Sequence, residues 1–223
     1  MENSLLKEAL AKYITGLVIF LLVLFVPAGT LHYWQGWLLT ALLFAPMLLV
    51  GILLLRKNPA LLRRRLNDKE TESQQKQVVL MCMGMFLAAF ILAGLHVRFG
   101  WRLLPAWVSW TSSVVFLIGY ALYAEVIREN AYLSRVVEVQ KDQKVVDTGL
   151  YGLVRHPMYM ATLLLFLAMP LVLGCAVSFL IMLLYIPVIR KRIRNEEQVL
   201  EQGLAGYREY REKVRYRLIP FLW

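Results

Sequence analysis

The hydrophobic residues of this chain fall into long uncharged runs that polar segments separate. Four of the runs predict one helix each, at about 13–28, 37–55, 78–97 and 105–127. Apolar runs of roughly 20 residues are what a helix needs to cross a ~30 Å hydrocarbon core. None of the runs alternates with a period of two, so they indicate membrane helices rather than strands.

A fifth run, at 161–189, contains no charged residue and carries Pro170 and Gly174 near its middle. This pattern predicts two short helices joined by a tight turn. Each arm has about 15 uncharged residues, which at about 1.5 Å per residue falls short of a ~30 Å core. The count is therefore six helices, or five if the hairpin is re-entrant or merged. In either case the hairpin returns the chain to the side that it left.

Composition supports an all-α, polytopic transmembrane helical bundle. The 223 residues are 59% hydrophobic, with a mean hydropathy of +0.57, which is too apolar for a soluble domain. Only helices or closed barrels satisfy the backbone in lipid. The six-helix topology places 23 of the 25 Lys and Arg residues on one side and leaves Arg98 and Arg102 on the other. This bias predicts cytoplasmic termini, and it explains the net charge of +10 without a nucleic-acid partner.

The two cysteines, Cys82 and Cys175, lie in different apolar runs. The topology puts them near opposite faces of the bilayer, which argues against a disulfide between them. Their spacing indicates no metal site. We therefore expect no metal cofactor.

Polar residues cluster where the chain enters the hairpin, in the segment 148–160. Pro157 suits the first turn of a helix, and it disfavours helical backbone for His156. Arg155 and His156 are then expected at a helix N-terminus, where free N–H groups and the helix dipole favour an anion. Tyr159 follows one turn later and offers a hydroxyl or a ring face.

A second polar cluster lies where the chain leaves the hairpin. Arg192 and Glu196 are four residues apart and share a helix face, and Glu197 is on the next face. Carboxylates in this position would accept hydrogen bonds from an ammonium group or from ribose hydroxyls. A ligand with a carboxylate, an amino group and a sugar would match both ends of the hairpin. The alternative is a proline-started helix and a solvated helix end rich in ion pairs.

The ordered set of motifs resembles a known family. The set consists of G-L-Y-x-x-x-R-H-P-x-Y at 149–159, the hairpin, R-x-x-x-E-E-x-x-L at 192–200, Y-x-x-Y at 207–210 and I-P at 219–220. It is similar to the isoprenylcysteine carboxyl methyltransferase family and to the related phospholipid N-methyltransferases. The resemblance covers about 129–223 and suggests a bacterial-type member of unassigned substrate. It divides the chain into a four-helix membrane bundle, 1–128, and a cofactor-binding region, 129–223.

The resemblance implies an S-adenosylmethionine site between the hairpin and an amphipathic tail. Carried over by position, the residues that would bind the cofactor are Arg155, His156, Tyr159, Glu196 and Glu197, with Tyr151 and Tyr207 as further candidates. Arg192 would neutralise an anionic group of the acceptor or cofactor, a role that Arg155 could also fill. The family often has Gly two residues after the motif tyrosine, whereas this chain has Ala161.

Charged residues at the end of the fourth helix are further candidates. Glu125, Arg128 and Glu129 are spaced at i, i+3 and i+4, and Asn130 follows. An ion pair at the membrane surface is one interpretation. The other is that Glu129 or Asn130 faces the methyl acceptor, since ionisable groups near a membrane helix are often functional.

Three functions remain open. The first is methyl transfer to a lipophilic acceptor, either an isoprenylcysteine-like carboxylate, a phospholipid amine or a thiol. The second is an NADPH-dependent membrane reductase of the sterol-reductase type. The third is a non-catalytic scaffold or small transporter. The helix interiors hold almost no ionisable residue that could mark a transport path, which argues against this third function. We expect lipids and a lipophilic substrate as partners, in a bacterial inner membrane or the endoplasmic reticulum, with the oligomeric state open.

Overall fold

The computed structural model describes residues 2–66, 73–133 and 139–223, and within these ranges it is helical with no strand. The bundle helices are α1 (Glu2–Ala28), α2 (Trp34–Lys57), α3 (Pro59–Leu66), α4 (Ser73–Arg98) and α5 (Ala106–Glu129). A short 3-10 turn, Gly149–Gly152, precedes the remaining helices. These are α6 (Pro157–Val172), α7 (Ala176–Met182), α8 (Tyr185–Gly203) and α9 (Tyr207–Lys213).

Within the described ranges, four helices are long and apolar enough to cross a membrane. These spans are Leu5–Ala28, Trp34–Lys57, Gln77–Arg98 and Ala106–Glu129. They coincide with the four predicted helices, so the polytopic helical bundle is confirmed. The first helix begins earlier than predicted because its polar first turns are good helix formers. Glu8 and Lys12 form an i,i+4 ion pair there, with 3.4 Å between Oε1 and Nζ.

The polar segment between the second and third predicted membrane helices contains helix α3. The Asn58 side chain accepts a hydrogen bond from the Leu61 backbone N–H at 3.1 Å, and Pro59 is the first helical residue. Asn at the N-cap followed by proline is a favourable helix start. Leu61 and Leu62 are buried, so the short helix is held by packing.

The hairpin forms, but its second arm is broken. Helix α6 has 16 residues and ends at a turn in which Gly174 has a φ of +74°. Helix α7 ends at Met182, and α8 begins at Tyr185 after two intervening residues. Pro187 lies in the first turn of α8, and its ring would clash with the carbonyl of Leu183 if one helix continued through. The break is therefore a local effect of Pro187.

The hairpin packs into the bundle and so positions the chain on either side of it. Gly119 of α5 permits close approach of α6, since a Cβ there would lie 2.9 Å from Leu165. The Tyr33 hydroxyl donates to the Leu173 carbonyl at 2.7 Å, and the Ser178 hydroxyl donates to the Ala89 carbonyl at 2.7 Å. These contacts fix the hairpin between α2, α4 and α5.

Candidate functional site

The entrance to α6 is a rigid turn. Gly149 has a φ of +51°, and the Glu129 carboxylate accepts a hydrogen bond from the Leu150 backbone N–H at 3.0 Å. A Cβ on Gly149 would overlap that carboxylate. His156 then occupies the N-cap of α6, with Pro157 as the first helical residue. The end of α5 thus fixes the turn that carries the predicted motif.

A carboxylate inside the protein joins the two ends of the hairpin. Glu197 of α8 accepts hydrogen bonds from Arg155 Nε at 2.9 Å, from His156 Nε2 at 3.3 Å and from Arg217 Nε at 2.9 Å. Burial acts to raise the pKa of Glu197, but the hydrogen bonds from His156 and Arg217 and the charge of Arg155 outweigh it. They hold the pKa of this carboxyl well below its usual range. Since an ionised carboxylate only accepts, Nε2 of His156 carries the proton.

The second carboxylate, Glu196, belongs to a different group of side chains. The Tyr159 hydroxyl donates to Glu196 Oε2 at 2.5 Å and accepts from Arg192 Nε at 3.0 Å. The rings of Tyr159 and His156 stack with 5.7 Å between their centroids. One phenol therefore holds a guanidinium and a carboxylate at fixed positions.

These groups line an open cavity, whose empty space together with the solvent at its mouth is about 870 Å³. One wall carries Arg192, Tyr159 and Glu196. Tyr207 also lines it, and its buried hydroxyl has no hydrogen-bond partner among the described residues. Burial raises the pKa of Tyr207 far above its ordinary value, so the hydroxyl remains a donor at neutral pH.

Another part of the lining is held by hydrogen bonds around Tyr151. Its hydroxyl accepts from Asn130 Nδ2 at 2.8 Å, and its carbonyl accepts from the Tyr210 hydroxyl at 2.8 Å. The Asn130 Oδ1 accepts the backbone N–H of Tyr132 at 2.9 Å. Both ends of the Asn130 amide are thus occupied within the protein, and the residue supports the wall.

Of the ten residues predicted from the sequence, eight line the cavity: Asn130, Tyr151, Arg155, His156, Tyr159, Arg192, Glu196 and Tyr207. The structure places Glu129 and Glu197 behind the wall, where their carboxylates hold the turn and the Arg155 guanidinium. The sequence did not indicate the lining residues Gln143–Val146, Leu200 and Leu204. Gln143–Val146 and Leu204 lie outside the motifs. Leu200 is the last residue of the R-x-x-x-E-E-x-x-L motif, but the motif alone did not assign it to a cavity.

The described ranges contain no candidate metal-binding site. No group of three or more His, Cys, Asp and Glu side chains there could hold a metal ion. Cys82 and Cys175 are both free thiols. The polar groups that face the cavity are instead suited to hydrogen-bond an organic ligand.

Comparison with known proteins gives two findings. Residues 110–202 match the model of the isoprenylcysteine carboxyl methyltransferase (ICMT) family. A segment of 86 residues is 30% identical to Delta(14)-sterol reductase TM7SF2 of Mus musculus, and it covers 36% of this chain and 20% of the reductase. The chain thus spans about a fifth of the length of that relative. The segment that matches the family model runs from α5 to α8.

Proposed function

We propose that this protein is an integral-membrane methyltransferase that uses S-adenosylmethionine and methylates a lipophilic acceptor. The observation that carries the proposal is the polar wall of the cavity, where hydrogen bonds join Arg192, Tyr159 and Glu196. This wall lies at the mouth of an apolar hairpin, where a polar cofactor and a lipid-soluble acceptor can meet. The family match supports methyl transfer as the reaction class.

The side chains around the cavity fit the functional groups of the cofactor. Glu196 offers a carboxylate to the ammonium group or to the ribose hydroxyls. Tyr207 offers a hydroxyl without a partner among the described residues, and a buried donor of this kind gains from a ligand acceptor. The stacked rings of His156 and Tyr159 offer an aromatic face.

Arg192 is a better candidate than Arg155 for neutralising an anionic group. Arg155 donates through Nε to Glu197 and through one terminal nitrogen to the carbonyls of Val214, at 2.7 Å, and Arg215, at 2.9 Å. Its guanidinium is therefore engaged within the protein. Arg192 faces the cavity with its Nε on the Tyr159 hydroxyl. A guanidinium suits a carboxylate of either the cofactor or the acceptor.

When bound, S-adenosylmethionine supplies a methyl group on a sulfonium for in-line attack by the acceptor nucleophile. The protein's part is alignment and exclusion of water. Tyr159 fixes Glu196 and Arg192 relative to each other, and Glu197 fixes Arg155 and His156. Asn130 holds the Tyr151 hydroxyl, and Glu129 holds the Leu150 backbone.

The second candidate is a membrane reductase, which the similarity to the sterol reductase favours. Such an enzyme would bind NADPH in the same cavity. Phosphate groups prefer an environment of cations and backbone N–H groups, whereas Glu196 brings a carboxylate into the wall. The carboxylate favours the methyltransferase.

The test is transfer of a labelled methyl group from S-adenosylmethionine by the detergent-purified protein. Three acceptors are offered: a farnesylcysteine derivative, phosphatidylethanolamine vesicles and a small thiol. We expect label in at least one acceptor, and we expect Glu196→Gln and Arg192→Ala to lose it. No labelling of any acceptor, combined with NADPH oxidation in the presence of a sterol, would move the protein to the reductase class. If Arg192→Ala keeps both cofactor affinity and turnover, its role is dropped.

A further inference from the structure

The last described segment, 214–223, crosses the entrance of α6, and we refer to it as the strap. The carbonyl of Tyr216 accepts the Arg155 backbone N–H at 2.9 Å, and the carbonyl of Arg217 accepts the His156 backbone N–H at 2.9 Å. The strap therefore supplies partners for N–H groups at a helix start, where intrahelical partners are missing. The backbone of both motif residues is thus hydrogen-bonded to the strap.

The strap also reaches the site through a side chain. Arg217 contacts Glu197 with two nitrogens, Nε at 2.9 Å and Nη2 at 2.8 Å. The same carboxylate binds Arg155 and His156. The side chain of Glu197 is 6% exposed and that of Arg217 is 27% exposed. Glu197 is thus the point at which the turn before α6, helix α8 and the strap meet.

Trp223 holds Arg217 from the other side. Its carbonyl oxygen accepts three successive backbone N–H groups, those of Arg217 at 3.0 Å, Leu218 at 2.9 Å and Ile219 at 3.0 Å. Its ring lies 5.8 Å from the guanidinium of Arg217 and 5.7 Å from that of Arg190, in cation–π geometry. The ring also packs against the buried cluster that includes Tyr159 and Ile193. The strap is therefore closed on itself and anchored to α8.

We infer that Arg217 is a positioning residue of this site and that Trp223 keeps it in place. Neither residue lines the cavity. Arg217 orients the Glu197 carboxylate, and Glu197 in turn fixes the Arg155 guanidinium and the proton on Nε2 of His156. The consequence for cofactor binding rests on the proposed function, whereas the consequence for His156 does not.

The first test is nitrogen-15 NMR of the histidine rings in the ligand-free, detergent-solubilised protein. The chain has three histidines, so His32→Gln and His96→Gln assign the His156 signals. We expect wild-type His156 to be protonated at Nε2, and we expect Arg217→Ala to shift its ring signals toward a mixture of tautomers. Arg217→Lys should restore part of the wild-type pattern. Trp223→Ala should act in the same direction with a smaller shift.

The matched control is Arg208→Ala. Arg208 is exposed, and in the described ranges its side chain has no hydrogen bond or ion pair. Like Arg217→Ala, this substitution removes one positive charge, but it leaves the contacts of the strap intact. The His156 signals should therefore stay as in the wild type. Unchanged His156 signals in Arg217→Ala would overturn the inference. Unchanged signals in Trp223→Ala alone would overturn the part assigned to Trp223.

The second test is the affinity for S-adenosylhomocysteine, measured on the same variants. Arg217→Ala should weaken binding about tenfold, and Arg208→Ala should leave it unchanged. If the wild type does not bind this ligand while the His156 signals respond to Arg217→Ala, the proposed function fails and the positioning role stands. If the wild type binds and Arg217→Ala binds equally well, the role in cofactor binding is overturned.

Discussion

The bundle of α1–α5 and the region from α6 to the strap are held together by different interactions. In the bundle, apolar side chains such as Leu24, Ala93 and Phe116 pack tightly, and packing of this kind is non-directional. In the second region, Glu197 organises charged partners from distant segments through hydrogen bonds of defined geometry. The difference indicates that substitutions in the bundle or at the buried Glu197 change stability, whereas substitutions of side chains that line the cavity change ligand binding first.

The largest effect is expected at the buried carboxylate. Glu197→Gln removes the charge that Arg155 and Arg217 share, and loss of one partner of a buried ion pair costs about 3–5 kcal/mol. Denaturation in mixed detergent micelles would measure the change in the free energy of unfolding. The matched control is Glu201→Gln on the same helix, whose partner Arg211 is more exposed, and which should cost at most about 1 kcal/mol. Equal losses of unfolding free energy in the two variants would contradict the distinction between the buried and the more exposed carboxylate.

The same carboxylate makes stability dependent on pH. Because the folded-state pKa of Glu197 is lowered, its contribution is fully present above the ordinary carboxyl pKa of about 4.5 and is lost as the pH falls toward the folded value. The free energy of unfolding should therefore decrease below about pH 4.5, and Glu197→Gln should reduce that slope. A slope that the substitution leaves unchanged would assign the acid sensitivity to other groups.

In the bundle, the sharpest test is Gly94→Ala. A Cβ at this position of α4 would lie 2.5 Å from the Leu24 carbonyl and 3.0 Å from the Ala28 nitrogen, both backbone atoms of α1. Overpacking of this kind costs typically about 1–3 kcal/mol. Gly84→Ala on the same helix meets nothing within 4 Å and should be neutral or stabilising. We expect Gly94→Ala to lower the melting temperature and to leave the affinity for S-adenosylhomocysteine unchanged.

Near the cavity, Tyr159→Phe should show the opposite pattern. It removes the hydroxyl that joins Arg192 and Glu196, so both charged groups lose their fixed positions for ligand binding. The affinity for S-adenosylhomocysteine should fall at least about tenfold, with little change in melting temperature. Tyr185→Phe is the control, because its hydroxyl contacts Thr162 and the residue does not line the cavity. Equal losses of affinity in both variants would contradict the assignment.

The smallest effect is expected at an exposed ion pair. Asp147 accepts a hydrogen bond from Lys213 Nζ at 2.7 Å, which lowers the pKa of the Asp147 carboxyl. Both groups are in contact with solvent, so screening removes most of the gain. Asp147→Asn should change neither the melting temperature nor the ligand affinity measurably. A loss of stability comparable to that of Glu197→Gln would contradict the expectation that the exposed Asp147–Lys213 pair contributes less than the buried pairs of Glu197.

The sequence predicts the bundle well because hydropathy depends on composition alone. The four spans and the turn at Gly174 follow from uncharged runs and from glycine. The break before α8 depends on a local clash with Pro187, and helix α3 depends on the Asn58 cap inside a polar segment. A hydropathy pattern detects neither of these two local features.

The candidate site was predicted as a set of residues but not as a geometry. Spacing indicates that Arg192 and Glu196 share a helix face, and the hairpin brings them to Tyr159. Nothing in the spacing shows that Glu197 points away from the cavity toward Arg155 and Arg217. That choice depends on the path of the strap, which is a tertiary feature. The roles of these residues in binding remain predictions.

The measurement that tests the central claim most directly is thermal stabilisation of the purified protein by S-adenosylhomocysteine and, separately, by NADPH. A ligand that binds only the folded state stabilises it by about 2.7 kcal/mol at a hundredfold excess over its Kd. We predict a rise in melting temperature with S-adenosylhomocysteine that Gly94→Ala retains and that His156→Ala and Glu196→Gln abolish. Stabilisation by NADPH alone, or by neither ligand, would contradict the account.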